Sequence, residues 1–437
     1  MQRADAGQRR VKRGEGAAPG RVSAACSCWL AVLAAAFLWP TAGTALPAAD
    51  GESPGPQQVG MIYVDSELAP GGGGQADRRR ATRSGTRGAN PLYRELRDAL
   101  AEYRLRWGSL PQLEVPSGPT LRAGASGARV RLLRTRLGLF DEGGFDAELE
   151  QAVRDFQSGH GLPVDGVAGP ATIASLNRGS DHYERLIEAN LERARALPAD
   201  PGRRHILVDI AAARLWMYED GRAVDSMRVI VGKPTEQTPM MAAFVRYAVL
   251  NPYWNVPQDL VQRRIAPNVL DQGLPYLRER GYEILSGWSD EAELLDPADV
   301  DWSAVAAGER QLRVRQRPGA GNMMGDVKFM MSDELGIYLH DTPDRALFDA
   351  DDRRLSSGCV RLEDAQRLSR WLFGRAVAAR SNAPEQRVDL PEPVPVYITY
   401  LTAAPSEQGI VFREDVYGRD ADIRPRLAYD SDLAARD

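Results

Sequence analysis

The chain is poor in the residues that build many known sites. It has 437 residues but three cysteines and four histidines. Cys26 and Cys28 fall in the N-terminal segment, so only Cys359 would remain after export processing. An exported chain with one thiol left has no internal disulfide. No cysteine or second histidine is spaced to join His160 in a zinc site, so no metal is expected. Long apolar runs are also scarce. The one at Ala24–Leu38 is too short for a spanning helix, which needs roughly 20 residues. Excess positive charge is missing as well. The formal net charge is −5, and the first 45 residues hold six basic and two acidic side chains, which leaves about −9 for the remainder. That is a poor footprint for a nucleic-acid binder.

What is present at the N-terminus reads as a secretion signal over residues 1–45. A basic stretch ends at Arg21, the apolar run follows, Pro40 breaks it, and Gly43-Thr44-Ala45 offers small residues for cleavage. Membrane attachment is expected only if this segment is uncleaved. Residues 46–88, rich in Gly, Pro, Ala and Arg, are expected to be a disordered tether. Pro91 opens a helix whose Leu92, Leu96, Leu100 and Tyr103 share a face, within a helix-and-connection segment 89–117.

A compact helical unit is expected over 118–180. Its stripes are Val130, Leu133 and Leu137; then Leu149, Val153 and Phe156; then Ile173 and Leu176. A linking helix fills 181–203. The pattern then turns strand-like: 205–210, 214–218 and 227–232 alternate, with Asp220-Gly221 as a hairpin signal. His205 reads as a strand-start residue without chemistry. After Trp254 the strand pattern lapses over 258–326, an insertion that begins with helical spacing and ends in a Gly-rich loop. A helix is expected over 362–373, a last strand over 394–401, and a peripheral tail over 404–437.

The chemistry concentrates in two blocks, Tyr338-Leu339-His340-Asp341-Thr342-Pro343 and Ser356-Ser357-Gly358-Cys359-Val360-Arg361. A thiol attacks as thiolate, and an imidazole is the usual means of producing one. Gly358 allows a sharp turn, and the Gly358 and Cys359 amides would point at a developing oxyanion. Arg361, two residues beyond the thiol in an extended segment, would share its face and clamp a carboxylate. The N-terminal dipole of the following helix would favour thiolate.

Together these blocks resemble the signature of the L,D-transpeptidases, YkuD-like cysteine enzymes that cross-link bacterial peptidoglycan. Many members read Ser-His-Gly-Cys where this chain reads Ser-Ser-Gly-Cys, so Ser357 stands in place of a histidine. Phe156-Gln157, His160-Gly161-Leu162 and Asp165-Gly166 through Thr172 resemble the three-helix peptidoglycan-binding domain found beside wall enzymes. The resemblance implies an α+β multidomain chain. It would have a small three-helix domain and a mixed β-sandwich catalytic domain over 204–403, with 258–326 as a partly helical cap.

The same resemblance implies a periplasmic enzyme that uses no cofactor and acts on donor and acceptor peptide stems of peptidoglycan. Cys359 would be the nucleophile and His340 the general base and acid. The backbone carbonyl of Asp341, or its side chain, would orient the imidazole. Arg361, Ser357, Tyr338 and Trp254 are the candidates for substrate contact. The competing readings are an L,D-carboxypeptidase, attachment of a protein to the wall by the same thioester chemistry, and a non-catalytic wall-binding protein.

Overall fold

A computed structural model of the chain describes residues 60–70, 89–289, 291–331, 335–406 and 409–421. The signal expected over 1–45 lies outside them.

Asn90 starts the first helix, Pro91–Tyr103, by accepting the Tyr93 N–H at 2.9 Å, with proline at the first position where a missing N–H costs nothing. Three helices follow at Ala128–Arg136, Ala147–Gly159 and Pro170–Asn177. The predicted stripes meet in one core of Val130, Leu133, Leu149, Val153, Phe156 and Leu176. The motif residues between them are spent on that fold. Gln157 accepts the amides of Asp165 and Gly166 and donates to Asp165 Oδ1 and the Val167 carbonyl, which staples the turn before the third helix. His160 donates through Nδ1 to the Phe156 carbonyl at 2.8 Å and meets the Tyr103 hydroxyl at 3.1 Å. The linking helix, Ser180–Arg195, packs against Pro91–Tyr103 through Tyr183, Ile187 and Leu191.

The strands, in chain order, are β1 (Ile62–Tyr63), β2 (Arg204–Asp209), β3 (Arg214–Glu219), β4 (Arg222–Gly232), β5 (Met241–Leu250), β6 (Trp254–Val256), β7 (Tyr282–Leu285), β8 (Arg313–Gln316), β9 (Val327–Met330), β10 (Leu339–His340), β11 (Arg354–Ser356), β12 (Val360–Leu362), β13 (Gln386–Thr399), β14 (Ala403–Ser406) and β15 (Gly409–Phe412). β3 and β4 are joined by Asp220 and Gly221, both at positive φ, as a two-residue turn requires. Strand pairing runs β5–β13–β2–β3–β4–β12–β10–β9, and β9 pairs again with β5. The two layers of the expected sandwich are therefore joined at both ends into one ring. Inside it lie Val208, Leu215, Val229, Phe329, Leu339, Val360, Leu362 and Val396, closed at one side by Leu368 and Leu372 of the helix Ala365–Phe373. The last strand is longer than expected. Its pairing with β5 breaks between Asp389 and Val394, where Pro391 and Pro393 have no N–H to give.

Two expectations need correction. The tether was placed over 46–88, yet residues 60–70 dock on the ring. β9 occupies the Tyr247–Leu250 part of one edge of β5, and β1 pairs in parallel with Met241 and Ala242 of the same strand. An open edge is a liability, and this short segment covers it, with Leu68 buried and Asp65 accepting the Phe244 amide. The tail was read as peripheral. Instead β14 and β15 pair, and Phe412 enters the core shared by the two long helices.

The insertion between β5 and β9 has a core of its own, including Val256, Ile265, Leu277, Trp302, Val305 and Val314, beneath the sheet β6–β8–β7.

Candidate active site

The register of two short strands builds the site. β10 and β12 run parallel, with Leu339 opposite Val360 and His340 opposite Arg361. Leu339, Val360 and Leu362 point into the core and are fully buried. A strand alternates its faces, so His340 and Arg361 point out, as do Tyr338 and Cys359 two residues before each. β9 flanks β10 on the other side and puts Lys328 opposite His340. Five chemically capable side chains thus share one outer face.

Cys359 ends a turn that only glycine makes cheaply. Gly358 has φ +107°, and a Cβ there would stand 3.3 Å from Ile337 Cδ1. The turn is pinned by hydroxyls. Ser356 Oγ donates to the Cys359 carbonyl at 2.6 Å, and Thr238 Oγ1 donates to the Gly358 carbonyl at 2.8 Å. The Gly358 amide was expected to face an oxyanion. It donates instead to Ser356 Oγ at 3.2 Å, which leaves the Cys359 amide as the available donor of the two. The thiol is partly exposed and donates to the Gly336 carbonyl at 3.5 Å.

His340 is buried, and its Nδ1 lies 2.5 Å from the Asp341 carbonyl. That contact makes Nδ1 the protonated nitrogen and leaves the Nε2 lone pair free to take a proton. Of the two candidate orienters, the backbone carbonyl holds the imidazole. The Asp341 carboxylate is used elsewhere: Oδ1 pairs with Arg345, and Oδ2 accepts the Asp326 amide at 3.0 Å.

Burial lowers the His340 pKa to about 3, and the charges of Arg361 and Lys328 add to the effect. Burial pushes the Cys359 thiol up, against the opposing pull of the Tyr338 backbone and Arg361. Both shifts favour the uncharged form of the group, thiol and imidazole alike. The helix dipole was expected to favour thiolate. The helix in fact begins at Ala365, and the Asp364 side chain caps it by accepting the Arg367 N–H at 2.8 Å, so a carboxylate already sits at its positive end.

Arg361 is half-buried, its Nε has no hydrogen-bond partner, and burial lowers its pKa. The Asp344 charge acts against that shift, while Arg264 of the insertion adds to it. Among the described residues no carboxylate pairs with this guanidinium. Lys328, which sequence reasoning missed, is 8% exposed, pairs with Glu385 at 3.5 Å and lies over the Tyr338 ring at 5.9 Å. Its signal was a lone charge inside the apolar run Val327–Met331.

Ser357 is exposed and faces Glu236. Burial raises the Glu236 pKa, but Ser357, Lys233 and Arg263 together outweigh it and hold the carboxyl low. Arg263 belongs to the insertion and reaches Glu236 at 3.1 Å, so the insertion is clasped beside the thiol turn. Trp254 goes elsewhere than expected. It packs on the insertion's own core, tilted against Tyr282 at 6.3 Å.

A thiol, an imidazole oriented by a carbonyl and an arginine whose Nε has no partner among the described residues are the groups that nucleophilic acyl transfer would need. Residues 203–394 match the L,D-transpeptidase catalytic domain family (YkuD), and residues 126–176 match a putative peptidoglycan binding domain. Those two stretches are thus similar to a transpeptidase catalytic domain and to a peptidoglycan-binding domain, and together they leave the N-terminal and C-terminal parts of the chain unmatched. Among curated proteins it is 35% identical over 241 residues to a putative L,D-transpeptidase of Haemophilus influenzae, covering 54% of this chain and 48% of that protein. The chain thus spans about half the length of the curated relative it matches. Among solved structures, an L,D-transpeptidase fragment from Xylanimonas cellulosilytica is 17% identical over 65% of this chain and 99% of that one, with a TM-score of 0.20. An L,D-transpeptidase from Mycobacterium smegmatis is 14% identical over 45% and 58%, with a TM-score of 0.23.

Proposed function

We propose that this chain is an exported cysteine L,D-transpeptidase of the peptidoglycan layer. The observation that carries the reading is the register of β10 on β12, which gathers Cys359, His340 and Arg361 on one face. In the proposed reaction the thiol swings from the Gly336 carbonyl toward Nε2 of His340 and gives up its proton there. Sulfur attacks the carbonyl after the third residue of a tetrapeptide stem. The oxyanion is met by the Cys359 amide. As the C–N bond breaks, His340 returns the proton to the leaving D-alanine. The side-chain amine of a second stem then attacks the thioester, loses its proton to His340 and releases the thiol. The product is a 3→3 cross-link. Arg361 clamps a donor carboxylate, and the insertion covers the cleft.

The test is incubation of the purified full chain with disaccharide-tetrapeptide, with products read by mass spectrometry. Dimers with 3→3 linkage support the reading. Tripeptide alone means that water resolves the thioester, which is L,D-carboxypeptidase activity. Turnover retained in Cys359→Ala would remove the thiol from the reaction.

A further inference from the structure

We propose that the C-terminal segment Phe412–Asp420 is a positioning element for the Cys359 turn and ties that turn to the helical domain; this rests on the functional reading above. The segment lies well past residue 394, where the match to the catalytic family ends.

The mechanical path is short. The Gly358 carbonyl is held by Thr238 Oγ1, which also accepts the Gly232 amide at 2.8 Å. Thr238 is fully buried, and the tail holds the chain around it. The Tyr417 hydroxyl donates to the Gly232 carbonyl. Arg419 donates to Gln237 Oε1 at 2.6 and 3.0 Å and to the Thr238 carbonyl at 3.2 Å. Gln237 Nε2 donates back to the Tyr417 carbonyl at 3.3 Å. Tyr417 and Arg419 are each only 6% exposed. Three bonds from Nε and Nη2 hold this buried guanidinium, while its Nη1 has no partner among the described residues, so the contact is fixed from one side of the group.

Asp415 sets the shape of the segment. Its carboxylate accepts the Tyr400 hydroxyl at 2.9 Å and the amides of Arg419 and Asp420 at 2.9 and 2.8 Å. Both ends of the segment meet the helical part. Asp420 pairs with Arg193 of the linking helix at 2.7 Å. Upstream, Phe412 stacks on His160 at 5.6 Å. The segment therefore meets the helical part at both ends, through Phe412 and Asp420, and the nucleophile turn's support between them, through Tyr417 and Arg419.

Displacing reacting atoms by about 1 Å can cost on the order of a hundredfold in rate. Loosening this support should therefore lower turnover more than substrate binding. The experiment uses the full chain and its Tyr417→Phe, Arg419→Lys and Arg419→Ala variants. It reads kcat and KM on disaccharide-tetrapeptide, the rate of Cys359 alkylation by iodoacetamide, and the melting temperature. The expected result is a loss of about tenfold in kcat for Tyr417→Phe with KM little changed. Alkylation should change with it, and Arg419→Lys should keep more turnover than Arg419→Ala. A lowered melting temperature with unchanged turnover per folded molecule would overturn the proposal. Should these variants not fold, Thr238→Ser against Thr238→Val decides. Turnover kept by serine and lost by valine supports the proposal, and equal turnover overturns it. An inactive wild type would sink the functional reading instead, while the alkylation rates would still test positioning.

Discussion

His340 stands opposite Arg361 across the parallel pair β10–β12, and burial together with that guanidinium keeps the imidazole neutral. In the proposed mechanism the base and the carboxylate clamp therefore form one electrostatic unit: the cation that depresses His340 disfavours a thiolate–imidazolium pair, so the thiolate would form only as the proton is taken.

That arrangement predicts the pH dependence of the thiol. With Cys359 pushed above its ordinary range and His340 at about 3, iodoacetamide alkylation should climb steadily from pH 6 through 9. A plateau near neutrality would mean a preformed thiolate. Cys359→Ala should stop acyl transfer without loss of fold.

Arg361→Ala should damage donor use more than Arg361→Lys. The guanidinium's Nε has no partner among the described residues, and the proposed function puts a substrate carboxylate there. Losing a charge-assisted contact costs about 1.5–3 kcal/mol, or roughly ten- to more than a hundredfold in kcat/KM. Lysine keeps the charge but not the planar fork, so its loss should be intermediate. If both variants lowered only the melting temperature, the residue would be structural.

Stability should fall on acidification through the histidines. His340 and His160 both have folded pKa values of about 3, below the ordinary value near 6.5. Between these limits the unfolded chain binds more protons, so stability rises with pH and is lost as pH falls below about 6.5. Each imidazole contributes a slope of up to about 1.4 kcal/mol per pH unit. Urea unfolding between pH 5 and 6.5, above the usual carboxylate range, reads this slope, to which His182 and His205 add because burial lowers their pKa values too. His340→Gln should flatten it by about one proton, and an unchanged slope would contradict the assignment.

The sequence made the helical stripes and the site legible because both depend on local periodicity. Leu339 and Val360 alternate with His340 and Arg361, so the outward face could be read before the pairing was known. Three features escaped. The closure of β9 on β5, the docking of residues 60–70 and the burial of Tyr417 and Arg419 all depend on partners far away in the chain. β1 is two residues long and leaves almost no pattern. Arg419 looks like a surface charge until Gln237 and the Thr238 carbonyl receive it. The shift of His340 toward its uncharged form was also hidden, because its desolvation is a property of the packed site.

The clasp between insertion and ring yields the last prediction. Arg263 reaches Glu236 at 3.1 Å, and Glu236 also holds Lys233 at 3.1 Å and faces Ser357 beside the thiol. The Arg263 side chain is 60% exposed, so the pair itself should be worth no more than about 1 kcal/mol. That is too little to hold the insertion's own core together, but under the proposed capping role it is enough to shift how often the insertion would lie closed over the cleft. Arg263→Ala should therefore leave the melting temperature within about a degree or two. It should still change access to Cys359, raising iodoacetamide alkylation a few-fold. Raised salt should mimic the variant in the wild type and have little further effect on Arg263→Ala, because an exposed pair is screened. Alkylation rates that respond neither to the substitution nor to salt would show that this ion pair does not gate the cleft.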